Sequence, residues 1–248
     1  LTEALIAVPA YEQSSDQEVA FQAVDYILRV LKKNMVFGMT WGRAMHEFVE
    51  QLAKDERLRS LSFQNVKVVP FLGTPGAIQS DSWNTTTYSN TLATKVGNLL
   101  HCASYNLSAP MYVEGTKEKE LIESIDEIAK VLHMAETADI ALIGIGSMQD
   151  DSSIIKAEIR TKEEYKELVR KGAVGEIVGR IYDKNGQTVD EDLKRKMVGI
   201  SLDKIAKIPV RVGMSYGKDK IEAIKGAIAG GLVNLLVTDV PTAELLLK

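Results

Sequence analysis

The sequence is poor in the residues that most directly advertise chemistry. It holds one cysteine, Cys102, and three histidines among 248 residues. A single thiol excludes an internal disulfide and suits a reducing cytoplasm, where the chain is expected to reside. His46, His101 and His133 lie far apart with no Cys or His at ligand spacing, so neither a metal centre nor any other cofactor is expected. Cys102 directly follows His101, and neighbours on a helix diverge by about 100°, so the two do not read as nucleophile and base. No Gly-x-Ser-x-Gly elbow is present, and no pair of carboxylates flanks an evident cleft. Long apolar runs are missing too: none approaches the roughly 18 residues needed to span a bilayer. Leu1-Thr2-Glu3-Ala4 carries no basic segment leading into an apolar core, so no secretory signal is read there. Positive charge is not in excess. With a net charge of −4, the chain is not expected to hold nucleic acid unaided, because no broad basic face offsets that balance.

What the sequence does have is a regular alternation of strand-like and helix-like runs. Hydrophobic residues make up 45% and charged residues 26%, enough for a large core under an ordinary polar surface. Strands are predicted at 5–9, 66–70, 110–113, 139–147, 174–183, 210–214 and 233–238. Helices are predicted at 16–32, 87–101, 116–136, 219–229 and from 241 to the end. Residues 161–164 form a capping box for a further helix reaching 170. Asn185-Gly186 marks a hairpin turn after 183. The stretch 139–147 is continuously apolar, as expected of a parallel strand covered on both faces. Alternation over the whole length, with no linker or repeat, predicts one α/β domain over 1–248 built on a mainly parallel sheet with helices on both faces. Ligands of such sheets bind at the carboxyl ends of strands, where the topology switches direction.

Residues 35–48 carry the strongest functional signal. The apolar run Met35-Val36-Phe37 stops at Gly38-Met39-Thr40-Trp41-Gly42-Arg43, and Met45, Phe48, Val49 and Leu52 then recur at helical spacing. A strand turning straight into a helix aims unpaired N–H groups at one spot, with the positive end of the helix dipole behind them. That arrangement seats an anion, most often a phosphate. Thr40 adds a hydroxyl and Arg43 a cation. The loop matches neither the dinucleotide nor the Walker fingerprint. A tight strand-to-helix turn with no ligand is the alternative.

Three other places carry candidate residues. Gly144-Ile145-Gly146-Ser147 ends the apolar strand; it is half a dinucleotide fingerprint, better read as backbone approaching a small ligand. Glu176 and Arg180, four apart in a predicted strand, are expected to face the same side. Glu176 then either accepts hydroxyls in a cleft or faces solvent or a partner strand. Lys218 and Lys220 open a helix after a strand, placed for a phosphate or for solvent. Asp239 is a hydroxyl ligand or, more simply, a helix N-cap. The long polar loop at 71–86 is a further candidate wall, since long loops in compact domains are usually functional. The glycine turns after Phe37, Ile143 and Met214 all follow strands and are expected to converge on one crevice.

Taken together, residues 36–43, Gly175-Glu176-Ile177-Val178-Gly179, Val198-Gly199-Ile200-Ser201-Leu202, 217–224 and 231–239 resemble the effector-binding domain of SorC-type bacterial transcriptional regulators, in order and spacing over nearly the whole chain. The resemblance implies a Rossmann-like fold similar to sugar-phosphate isomerases and glucosamine-phosphate deaminases. It implies no enzymatic activity, but binding of a phosphorylated sugar at the sheet's carboxyl edge. It also implies homo-oligomers, dimers or tetramers, and contact with operator DNA through an upstream helix-turn-helix domain, of which no trace precedes Leu5. The chain begins without methionine inside an apolar pattern, which points to sequence removed upstream. Carried over residue by residue, the phosphate loop falls on Gly38, Thr40, Trp41, Gly42 and Arg43. The acidic sugar contact falls on Glu176, and the phosphate lysine of a Gly-Gly-x-x-Lys-x-x-Ala-Ile pattern on Lys220, with Tyr216 replacing the first glycine. The rival reading is an aldose–ketose isomerase or amino-sugar deaminase with Glu176 as base.

Overall fold

The computed structural model describes residues 1–8, 14–75, 85–150 and 152–248. Most of the predicted loop at 71–86, together with Pro9 and Asp151, therefore lies outside the described residues. The chain begins with β1 (Glu3–Ala7), α1 (Ser15–Val30), β2 (Val36–Met39), α2 (Arg43–Leu52), β3 (Lys67–Pro70), α3 (Ser89–Leu99) and β4 (Ala103–Ser104). It continues through α4 (Thr116–Glu123), α5 (Asp126–Glu136), β5 (Ile140–Gly144), β6 (Gly146–Ser147), α6 (Ser153–Lys156), α7 (Lys162–Arg170), β7 (Ala173–Ile177) and β8 (Arg180–Asp183). The last third supplies α8 (Glu191–Lys196), α9 (Leu202–Ile205), β9 (Val210–Met214), α10 (Ile221–Ala229), β10 (Leu235–Asp239) and α11 (Val240–Leu246).

Seven strands form a wholly parallel sheet in the order β1-β10-β9-β5-β2-β3-β4. From β2 the chain steps outward to β3 and β4, then returns to the opposite side of β2 with β5 and moves on through β9 and β10. The direction of winding thus reverses between β2 and β5, and a crevice opens at their carboxyl ends. Both faces of the sheet are covered, which is why β5 reads as unbroken apolar sequence. Ile140 and Leu142 pack with Val24, Ile27, Phe48 and Leu92 of α1 to α3 on one face. Ala141 and Ile143 pack with Ala223 and Ile224 of α10 on the other. Phe37 and Phe48 meet edge to face with ring centroids 6.3 Å apart. Among the described residues no helix is long and apolar enough to cross a membrane.

Three expectations need correction. The predicted helix at 116–136 is two helices: Ile125 is extended (ψ 123°) and serves as the N-cap of α5, and the Ser124 Oγ donates to the Leu121 carbonyl. No residue of α4 is buried, and its apolar side reaches the core only through the partly buried Ile122, which packs against the cluster of Leu107, Ile128 and Val198. The predicted strand at 110–113 pairs only through isolated bridges at Pro110 and Tyr112, while the short β4 was not foreseen. The predicted strand at 174–183 is a hairpin. Val178 (φ 56°) and Gly179 (φ 69°) form its turn in the left-handed region, without the Asn-Gly that announces such turns. Its register pairs Glu176 with Ile181 and Ile177 with Arg180. Directly opposed residues share a face and successive ones alternate, so Glu176 and Arg180 lie on opposite faces of the hairpin. β7 also pairs with β6 to complete a three-stranded sheet. The turn expected at Asn185-Gly186 forms, but the chain beyond it returns only as the bridge Tyr182 to Thr188.

Candidate ligand site

The turns that follow β2, β5 and β9 meet at the switch point around a cavity of about 350 Å³. Of the candidate residues, Trp41, Gly42, Arg43, Gly144, Gly146, Ser147, Glu176 and Lys220 line it. Gly38, Thr40 and Asp239 do not.

Each of those three has a structural task. A Cβ at Gly38 would stand 2.0 Å from the Phe71 ring, so the glycine makes room for that buried side chain. Thr40 is buried and fastens the turn to β5: its N–H donates to the Leu142 carbonyl (3.1 Å), and its Oγ1 accepts from the Gly144 N–H (2.9 Å). Asp239 is the N-cap of α11, accepting from the Thr242 N–H at 3.0 Å. Thr242 Oγ1 in turn accepts from the Gly217 N–H at 2.8 Å, so the cap also steadies the loop after β9.

Fewer of the turn's amides are open than the sequence implies. The Thr40 amide is already engaged, and the Gly42 N–H donates to the Thr87 carbonyl at 3.0 Å. What faces the cavity is the first turn of α2, with Gly42, Arg43 and Ala44. A helix offers there N–H groups that it does not bond itself, backed by the positive end of its dipole. Gly42 is the N-cap at φ 103°, a conformation glycine adopts without strain. Arg43 is exposed and Lys220 is partly so.

Glu176 forms the floor. It is 6% exposed, and its carboxylate accepts from the Gly179 N–H and from the Trp41 side chain. Burial raises its pKa above the ordinary carboxylate value of 4.5, against the lowering influence of Gly179, Lys220 and Trp41. A Cβ at Gly146, its cross-strand partner, would stand 2.7 Å from Oε2, so glycine there keeps the carboxylate in place. Beside it the Ser147 Oγ donates to Asp219 at 3.2 Å, and Asp219 lies 4.0 Å from the Lys220 amine.

The raised pKa has a measurable consequence. A carboxyl whose folded pKa exceeds its unfolded value contributes full stability below the unfolded value, and loses that contribution as pH rises through the folded pKa. The unliganded wild type is therefore expected to lose stability relative to Glu176→Gln as pH rises above 4.5. Denaturant midpoints of both proteins between about pH 4 and about pH 8 check this. A constant difference across that range would contradict it.

Sequence reasoning left out of its candidate set Asp16, Ser152, Ser153, Ser215, Tyr216, Gly217 and Asp219, all of which line the cavity. The Tyr216 hydroxyl donates to the Asp16 carboxylate, and burial is the main reason its pKa is raised. Among the described residues, no group of three His, Cys, Asp or Glu is placed to hold a metal ion. A larger open groove of about 730 Å³ runs along α5, but it contains none of the predicted residues.

A parallel sheet whose switch-point crevice carries a helix N-terminus, two cations and a buried carboxylate defines a small-molecule-binding α/β domain. The family model described as "Putative sugar-binding domain" matches residues 1–248. The sorbitol operon regulator of Klebsiella pneumoniae is 30% identical over 222 residues, covering 89% of this chain and 67% of the relative. The transcriptional regulator LsrR of Escherichia coli K12 is 30% identical over 230 residues, covering 91% and 67%. The crystal structure of full-length SorC from K. pneumoniae superposes with a TM-score of 0.87 at 29% identity, over 100% of this chain and 77% of that one. A probable sor operon regulator from Shigella flexneri gives 0.86 at 25% identity, over 100% and 94%. The chain belongs to the sugar-binding domain family of SorC-type transcriptional regulators. These relatives are regulators and not enzymes, which decides against the isomerase or deaminase reading.

Proposed function

We propose that this domain senses a phosphorylated monosaccharide and passes its occupancy to operator DNA through parts of the full-length protein outside this chain. One observation carries the reading: the turns after β2 and β9 bring Arg43, Lys220 and the first turn of α2 to a single cavity, beside the turn after β5. The phosphate sits on the α2 first turn, with Arg43 and Lys220 neutralising it. Hydroxyls are met by Glu176, Ser147 and the backbone at Gly144 and Gly146. The volume of about 350 Å³ lies at the small end of ligand pockets and suits one sugar ring or open chain. Both curated relatives extend well beyond the matched region, which leaves room there for the DNA-binding part. The sensor works in the cytoplasm as a homo-oligomer, dimer or tetramer, and a coupling of about 1–3 kcal/mol between ligand and subunit arrangement changes operator affinity several-fold or more.

A thermal-shift panel tests this with pentose and hexose phosphates, the same sugars unphosphorylated, and inorganic phosphate, followed by a turnover assay on each hit. A raised Tm with a sugar phosphate and no turnover is the expected result. No shift with any sugar phosphate, or a shift with free sugars alone, would overturn the phosphate assignment.

A further inference from the structure

We infer that Tyr216, tied to Asp16, sets the upper size of the sugar this cavity accepts; the inference rests on the phosphosugar reading of the same site. Tyr216 lines the cavity together with Asp16, and the backbone on either side of it is fixed. The Ser215 N–H donates to the Val237 carbonyl at 3.2 Å, and the Gly217 N–H to Thr242 Oγ1 at 2.8 Å. Its ring packs against the core on the α1–α3 face. Its hydroxyl is held by Asp16, from the first turn of α1. A side chain anchored at its backbone, its ring and its tip is a wall. The groups felt by the Tyr216 hydroxyl are Asp16, Glu47 and Arg43. Those felt by Glu176 are Gly179, Lys220 and Trp41. Tyr216, Asp16, Arg43, Glu176 and Lys220 all line the one cavity.

The wall is also a reader. After donating to Asp16, the phenol oxygen still accepts, and the carboxylate keeps further acceptor positions. A ligand hydroxyl that reaches Tyr216 finds acceptors, whereas a longer chain meets the ring. Size exclusion of this kind discriminates by about tenfold or more per excluded group.

Calorimetric titration of wild type, Tyr216→Ala and Tyr216→Phe with triose, pentose, hexose and heptose monophosphates tests the inference. In Tyr216→Ala the affinity ratio of the longest to the shortest bound sugar is expected to rise about tenfold or more. Tyr216→Phe keeps the wild-type size ranking but binds the preferred sugar about five- to tenfold more weakly. Tyr216→Leu replaces the alanine variant if circular dichroism shows that it does not fold. An unchanged ratio in a folded truncation variant would overturn the inference while leaving the site assignment standing. A wild type that binds none of the series would instead remove the phosphosugar reading itself.

Discussion

Lys220→Ala is expected to weaken sugar-phosphate binding about 10- to 100-fold and to leave the apo protein folded. A hydrogen bond from a charged donor contributes about 1.5–3 kcal/mol when its loss strands a partner. Lys220 keeps 23% of its side chain exposed, so water and salt screen part of that interaction. Arg43 is exposed, and Arg43→Ala is expected to cost less. The apo protein tolerates the lysine change because its ion-pair distance to Asp219 is a loose 4.0 Å. Glu176 notices the change: its carboxyl loses a lowering influence and rises further. Titration calorimetry at two salt concentrations checks the ranking, with the wild-type advantage shrinking at high salt. A Lys220→Ala affinity within about twofold of wild type, far below that hydrogen-bond range, would show that the phosphate sits elsewhere.

The sign of the local charge makes this a demanding prediction. Among the lining residues, Asp16, Glu176 and Asp219 oppose Arg43 and Lys220. A dianion is not drawn in by net positive charge. It has to be held by the placement of the α2 first turn and two cations, while burial draws Glu176 toward its neutral form. Taking away one cation therefore removes a large share of the attraction.

The architecture and the convergence of the three turns were legible because they rest on local rules. A continuously apolar strand, a glycine turn and a helical stripe each leave a periodic trace. Contacts made by tertiary register left none. Gly38 reads as a glycine beside a ligand, yet the group that needs its empty Cβ position is the Phe71 ring; sequence cannot tell a close ring from a close phosphate. Asp16 and Tyr216 meet across 200 residues because α1 and the loop after β9 end at one edge, and nothing near either residue announces the other. Glu176 and Arg180 misled for another reason. The four-residue spacing fits one strand face, but the Val178-Gly179 turn reverses the chain between them. A valine with positive φ is uncommon, and no sequence rule places one there.

That hairpin also holds the residue expected to be costliest to remove. Arg180 is 3% exposed and donates from one terminal nitrogen to the carbonyls of Met197 and Gly199 at 3.1 Å, with Ile200 at the 3.5 Å limit. Among the described residues, its Nε and other terminal nitrogen have no hydrogen-bond partner. Burial lowers its pKa to about 10, with the Glu123 carboxylate pulling the other way. Two effects compete here: the cost of desolvating an under-bonded guanidinium, and the gain from its long stem and from the carbonyls it bonds. Arg180→Ala loses the whole gain, leaving a cavity and carbonyls without this donor, and is expected to destabilise by about 3–5 kcal/mol. Arg180→Met refills the stem volume and discards the buried charge, so it is expected to cost only about 1 kcal/mol, because the carbonyls still lose this donor. Urea denaturation of the three proteins measures both differences. If the methionine variant is more stable than wild type, desolvation outweighs the three acceptors. If the alanine variant lies within about 0.5 kcal/mol of wild type, as a change on an open surface would, Arg180 does not brace the hairpin that carries Glu176.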